Sequence, residues 1–182
     1  MALTRIGLNQ SINLASNVTG TLPAANGGTG ATSFSPGKIL QVKSVNYSTA
    51  ETITATSFTA TGLTLDITPA SSSNKILIIC SPHIRLDRST DNAACKIALY
   101  RDSTAIMEDD ATNAYFIEFG GTSSADLRGK QSYEFLDSPS STSSITYKLY
   151  IANQDAGSSG QVQLNWNSGN INSSLTLMEV SA

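Results

Sequence analysis

From residue 38 onward, apolar side chains recur at every second position. Leu63, Leu65 and Ile67 alternate with Thr64 and Asp66, and Cys95, Ile97 and Leu99 alternate with Lys96 and Ala98. The same period runs through Tyr115, Ile117 and Phe119, through Tyr147, Leu149 and Ile151, and through Val162, Leu164 and Trp166. Successive side chains on a strand point to opposite faces, so this period predicts strands with one face in a core. Turn residues separate the runs at Ser71 to Asn74, Asp87 to Asn92, Gly120 to Ser124, Asp137 to Ser140, Asp155 to Gly160 and Asn167 to Asn170. The predicted strands are 38–46, 52–58, 61–68, 74–84, 94–102, 104–108, 113–119, 130–136, 144–152, 161–167 and 173–180. No segment carries a helical stripe of useful length. About ten short strands in roughly 145 residues predict an all-β fold, an antiparallel β-sandwich that is jelly-roll-like.

Residues 1–37 break the pattern. Ile6, Leu8, Ile12 and Leu14 follow no period, and Gly7 and Asn9 interrupt any helix. Gly20, Pro23 and the run Asn26-Gly27-Gly28-Thr29-Gly30 punctuate the rest. Alone, such a segment buries too little apolar surface to offset its ordering entropy. The expected organisation is therefore an extended irregular leader at 1–37, docked on another chain, and a sandwich head at 38–182.

Composition narrows the function. Ser, Thr and Asn number 27, 20 and 13 of 182 residues, and charged residues make up 14 %. An average soluble protein carries about 25 % charge, so this surface is wetted by hydroxyls and amides instead. A net charge of −3 and a pI near 5.0 exclude a phosphate-driven nucleic-acid binder. No apolar run approaches the roughly 20 residues of a membrane-spanning helix. The opening Met-Ala-Leu-Thr-Arg-Ile-Gly lacks the basic-then-apolar order of a secretory signal.

Candidate chemistry is thin. Cys80 and Cys95 are the only thiols and His83 the only imidazole. Both cysteines read as small buried hydrophobes on strands, with a disulfide between them the minor alternative. His83 lies three residues past Cys80, which on a strand puts the two on opposite faces and argues against a Cys–His nucleophile. Glu108-Asp109-Asp110 reads as a solvated turn between strands. It supplies fewer oxygens than a calcium loop requires; Asp87, Asp91 and Asn92 offer side-chain oxygens within one turn, with a bound cation the minor alternative. Gly27-Gly28-Thr29-Gly30 lacks the Lys-Ser/Thr ending of a phosphate loop. Neither catalytic residues, nor a metal, nor a cofactor is expected.

The stretch Gly20-Thr21-Leu22-Pro23-Ala24-Ala25-Asn26-Gly27-Gly28-Thr29-Gly30 resembles the leader motif of bacteriophage tail-fibre and other virion fibre proteins. Downstream, four pieces occur in the order of the C-terminal domain of fibre-like proteins of marine and cyanobacterial phages. They are Ile67 to Leu77 (Ile-Thr-Pro-Ala-Ser-Ser-Ser-Asn-Lys-Ile-Leu), Leu99 to Thr104 (Leu-Tyr-Arg-Asp-Ser-Thr), Phe135 to Pro139 and Leu175 to Val180. Together these pieces span most of the chain.

The resemblance implies a homotrimer with β-sandwich heads on a thin stem, in which a jelly roll of the TNF or C1q kind is one possibility. It implies a virion protein at the phage particle surface, made in the host cytoplasm and joined through the leader to baseplate, tail adaptor or capsid. Leu22, Pro23, Asn26, Gly27, Gly28 and Gly30 are then the anchor and trimer residues. Glycine allows positive φ and close backbone approach where three chains meet. With the motif about 20 residues from Met1, the fibre would be unusually short. Attachment to a host-surface glycan would use loops rich in carboxylate, amide and hydroxyl groups. Composition selects Asp87, Asp91 and Asn92 in one loop and Asn153, Gln154 and Asp155 in another. Phe116 and Tyr150, opposite their strands' apolar face, are candidates for a subunit interface or a binding surface. Two other roles fit the same residues: a capsid decoration, head fibre or structural cap without receptor binding, and a free lectin-like domain.

Overall fold

The computed structural model describes residues 38–88, 93–108, 117–119, 125–153, 160–167 and 169–182. The leader residues Leu22, Pro23, Asn26, Gly27, Gly28 and Gly30 lie outside them, as do Asp91, Asn92, Asp109, Asp110, Phe116, Gln154 and Asp155. The described residues form thirteen strands and no helix. They are β1 (Ile39–Tyr47), β2 (Glu51–Ile53), β3 (Thr59–Ile67), β4 (Lys75–Ser81), β5 (His83–Arg88), β6 (Ala93–Arg101), β7 (Thr104–Glu108), β8 (Ile117–Phe119), β9 (Ala125–Lys130), β10 (Tyr133–Asp137), β11 (Ile145–Asn153), β12 (Gln161–Leu164) and β13 (Ser173–Val180).

Every pairing is antiparallel. One sheet runs β1-β13-β4-β10, and another runs β2-β12-β5-β9. These orders match ribbon for ribbon, because β1 continues into β2, β4 into β5, β9 into β10 and β12 into β13. The two sheets are thus the halves of one four-ribbon layer, creased across the middle. The opposite layer runs β3-β11-β6-β7, with β8 pairing the other half of β6. Numbered along the chain, eight ribbons are ordered 1-8-3-6 and 2-7-4-5, which is jelly-roll order.

The alternation predicts the core correctly where it is strict. Leu63, Ile67, Ile97, Leu99, Tyr147, Leu149 and Ile151 point inward from the second layer. Ile76, Ile78, Cys80, Ile84, Leu86, Leu175 and Leu177 meet them from the creased one. Each fully buried Leu or Ile stabilises by about 1.5–3 kcal/mol. Cys80 and Cys95 are free and fully buried, and burial pushes the Cys80 thiol up to about 12.

Polar groups tie the layers. Asp137 on β10 accepts from Arg101 Nη1 at 2.8 and 2.9 Å and from the Tyr147 hydroxyl at 2.7 Å. Arg101 and Tyr147 belong to β6 and β11 of the opposite layer, so one carboxylate bridges the sandwich. Burial, then the charge of Asp137, raises the Tyr147 phenol well above its ordinary range. At one end of the creased layer, Glu179 is fully buried and accepts from Gln41 Nε2 (2.6 Å), Asn74 Nδ2 (2.5 Å) and the Ala70 amide (2.7 Å). Burial alone would raise its pKa, but Gln41, Asn74 and the Ala70 and Ser71 amides outweigh burial and hold it below the usual carboxylate range.

The crease has its own hub in Asn165, which is fully buried at φ 51°. Its Nδ2 donates to the carbonyls of Tyr47 (2.8 Å) and Thr49 (3.3 Å), and its Oδ1 accepts from Ser173 Oγ (2.8 Å). Its amide donates to the His83 carbonyl, and the His83 amide donates to Ser173 Oγ. One residue therefore joins three ribbons where each loses its ladder, its side chain tying the β1–β2 segment to Ser173 and its backbone amide reaching His83.

Several strands differ from the alternation. The predicted 74–84 is interrupted at Pro82, which has no N–H to donate; its carbonyl accepts from the Gln131 amide across the crease. The predicted 52–58 shortens to β2. β9 has no apolar alternation to find, because Asp126, Arg128 and Lys130 face outward and only Leu127 and Gly129 face in. The predicted 161–167 stops at Leu164, since the left-handed Asn165 turns the chain. Trp166 therefore emerges on the outer face and not in the core.

Candidate functional site

The outer face of the creased layer carries two chemistries. Register partners in an antiparallel pair share a face, so its rows can be read from the ladder. In the β1-β13-β4-β10 half, one row reads Val42, Met178, Leu77 and Leu136. The flanking rows read Ile39, Val180 and Lys75 on one side and Ser44, Thr176, Ile79 and Glu134 on the other. Ile39 (58 % exposed), Leu40 (38 %), Val42 (56 %) and Leu136 (50 %) are the large apolar side chains most open to solvent among the described residues. All four lie on β1 or β10, the two edges of this half.

In the β2-β12-β5-β9 half, the outward row reads Thr52, Gln163, Arg85 and Arg128. Arg85 Nη1 donates to Gln163 Oε1 (2.7 Å), its Nε to Asp126 (3.0 Å), and its Nη2 pairs with Asp87 and Asp126, each at 3.0 Å. Gln163 Nε2 donates to Thr52 Oγ1 at 3.1 Å. The Arg128 guanidinium donates to Asp126 through Nε and Nη2 and lies 3.9 Å above the Trp166 ring. Hydrogen bonds from Arg128 and, after a smaller opposing effect of burial, from Arg85 hold the Asp126 carboxyl below its usual range. His83 and Lys130 pair at the crease end of this half. Burial, with the charge of Lys130, lowers the His83 pKa. His83 Nδ1 and Trp166 Nε1 are buried with no hydrogen-bond partner among the described residues.

Such a lattice fixes guanidinium, carboxylate and amide groups at the surface in planar, bidentate geometry. Those groups suit hydroxyl pairs and carboxylates of a ligand.

Of the residues selected from composition, Asp87 belongs to this lattice, on β5 and paired with Arg85. Asn153 ends β11 and is buried, its Nδ2 donating to the Gly160 carbonyl at 3.0 Å, so its amide does not face solvent. Tyr150 stacks on Tyr100 at 3.9 Å between centroids, and the Tyr100 hydroxyl donates to Glu108. These rings cover each other on the outside of the second layer. Cys80 faces inward, while His83 shares the outward phase of Arg85 and Asp87. Arg85, Asp126, Arg128, Gln163 and Trp166 were missed. Their signal is the outward phase of Arg85-Leu86-Asp87 and Asp126-Leu127-Arg128, a charge at every second position. Among the described residues, no group of three or more His, Cys, Asp or Glu side chains is placed to hold a metal ion.

The chain matches no family model and no curated protein. Among solved structures it is similar to infectious bursal disease virus proteins. For the Gx strain structure the TM-score is 0.38 at 13 % identity, over 88 % of this chain and 44 % of that one. For the VP2 subviral particle the TM-score is 0.41 at 11 % identity, over 98 % and 43 %. For the T=1 particles derived from the same virus it is 0.35 at 10 %, over 98 % and 42 %. The chain spans less than half the length of each. These scores are too low to transfer a fold or a role; the strand pairing itself establishes the β-sandwich.

Proposed function

We propose that this chain is a non-enzymatic virion structural protein, a homotrimeric phage fibre. Residues 1–37 attach it to the particle, and the jelly-roll head at 38–182 is presented to a host-surface glycan. The observation that carries this reading is how the fibre-like pieces meet in the fold. Asn74, from the Ile67–Leu77 piece, donates to Glu179 of the Leu175–Val180 piece. Arg101, from the Leu99–Thr104 piece, binds Asp137 of the Phe135–Pro139 piece. Short stretches far apart in sequence thus resolve into two buried polar ties of one head. The head's polar half, with Arg85, Asp87, Asp126, Arg128 and Gln163, supplies the groups for a glycan.

Immunogold labelling of purified phage with antibody against residues 38–182 tests this. Gold at the tips of surface projections is expected. A purified particle that contains no copy of the chain would overturn it.

A further inference from the structure

We infer that the apolar row Val42, Met178, Leu77 and Leu136 is the surface through which copies of the head meet. The inference rests on the trimer reading above and names the contact that would build it.

Three observations commit the row to this occupant. The first is the pattern of β4 itself. Ile76-Leu77-Ile78-Ile79-Cys80 is apolar on both phases, which is how a strand covered on both faces reads. Within the chain only the Ile76, Ile78 and Cys80 face is fully covered; Leu77 and Ile79 are half-buried on the other. The second is where the chain outside the described residues joins. Residues 1–37 connect at Lys38, the residue before Ile39, on the β1 edge of this same face. The third is the shape of the patch. Its ends, Val42 on edge strand β1 and Leu136 on edge strand β10, are more open than Met178 and Leu77 between them. A surface apolar at both edges lets the β1 edge of one copy meet the β10 edge of the next, and such a head-to-tail contact closes into a three-copy ring when successive copies are related by a third of a turn. Lys75 and Glu134 flank the row on opposite sides, giving the apolar centre and charged rim of an interface, with flanks of opposite sign.

Val42 and Leu136 are three strand spacings apart in one chain, about 14 Å. A disulfide between cysteines placed there can form only between copies. Cys80 and Cys95 are fully buried and add no background.

The experiment uses the full chain. Light scattering of the wild type should give three times 19.1 kDa. Val42→Lys and Leu136→Asp should each shift the mass to that of one chain while the cooperative melt is kept, since both side chains are at least half exposed in the head. Oxidation of the combined Val42→Cys and Leu136→Cys variant should give a ladder ending at a three-chain band. A trimeric wild type whose single variants stay trimeric, or whose cysteine variant forms no ladder, overturns this surface and leaves the trimer reading standing. A wild type that runs as one chain overturns the trimer reading and the surface with it.

Discussion

The two halves of the creased layer share ribbons, order and inward phase, yet their outward phases have opposite characters. Toward the core, Ile78 and Leu177 in one half and Leu86 and Val162 in the other do the same work. Toward solvent, one half presents Val42, Met178, Leu77 and Leu136, and the other presents Gln163, Arg85 and Arg128. Fold stability constrains the inward positions and leaves the outward ones open. A jelly roll therefore says little about its role, and the role is written on the phase the core does not use. Here that phase changes character at the crease, where the ladders of all four ribbons are interrupted.

The crease is the place to break the comparison, and it carries the largest expected effect. Asn165→Leu removes the donor to two carbonyls and the acceptor for Ser173 Oγ, and puts a branched side chain at positive φ. Leaving buried partners unsatisfied costs about 1–3 kcal/mol each, so a loss of about 4 kcal/mol or outright failure to fold is expected. Asn165→Gly keeps the left-handed backbone and should lose about 2 kcal/mol. Urea unfolding measures both. In the Gly variant, amide exchange should accelerate first in β2 and β12, which hold few residues, and later in β1 and β13. Equal loss in the two variants would mean that the side-chain hub alone holds the halves together; an unchanged Gly variant would assign the loss to the left-handed turn.

Acid sharpens the comparison, because the two halves hold different titrating groups. Glu179 ends the apolar half, and its folded pKa lies below the ordinary 4.5. Its stabilisation is complete above that value and is lost as pH falls through the folded pKa. His83, at the crease end of the polar half, has a folded pKa below the ordinary 6.5. The unfolded chain takes up this proton first, so stability already declines as pH drops below about 6.5. Melting temperature should be flat from about pH 7 to 8, fall slightly toward pH 5, fall steeply below about 4.5, and fall again in alkali, where the Cys80, Cys95 and Tyr147 groups ionise first in the unfolded chain. His83→Gln should remove the first decline only. Glu179→Gln should lower stability at neutral pH, since an amide turns a donor toward Gln41 and Asn74, and should reduce the second decline to the part carried by Asp126, whose folded pKa is also lowered. A Glu179→Gln profile parallel to wild type would remove Glu179 from the account.

Much of the inward phase was legible in the sequence, and much of the outward phase was not. Strict alternation located β3, β6 and β11 because each has a fully apolar phase against a polar one. It failed at β9, where glycine and a single leucine face the core, and at Trp166, where one left-handed asparagine reverses the phase. The polar ties were hidden for a related reason. Glu179, Asp137 and Asn165 sit where the period calls for an apolar residue or a turn, so pattern alone assigns them to solvent. Asp137 reads as a turn residue and Glu179 is not singled out, so neither tie, to Arg101 or to Asn74, is foreseen. The loop choice of Asn153 failed because amides suit a ligand and a buried strand end equally well; only burial separates the two.

The smallest effect on stability, and the sharpest on role, is expected in the polar half. Arg85 is the centre of its lattice, and Arg85→Ala leaves the Asp87 carboxylate uncompensated beside its register partner Asp126, which keeps only Arg128. Like charges opposite one another destabilise a strand pair, so a loss of about 1 kcal/mol is expected, recovered in part at high salt. Arg128 is exposed, and its substitution by alanine should leave the melt unchanged. If this half meets the host, the order reverses for adsorption. Arg128 presents its guanidinium at the surface on the Trp166 ring, whereas Arg85 has all its nitrogens engaged by Gln163, Asp87 and Asp126. Phage carrying Arg128→Ala should then adsorb more slowly to host cells than phage carrying Arg85→Ala, although its head melts higher. Adsorption that follows melting temperature instead would show the lattice to be a structural brace, and would move the search for the glycan site to the loops at the far end of the sandwich.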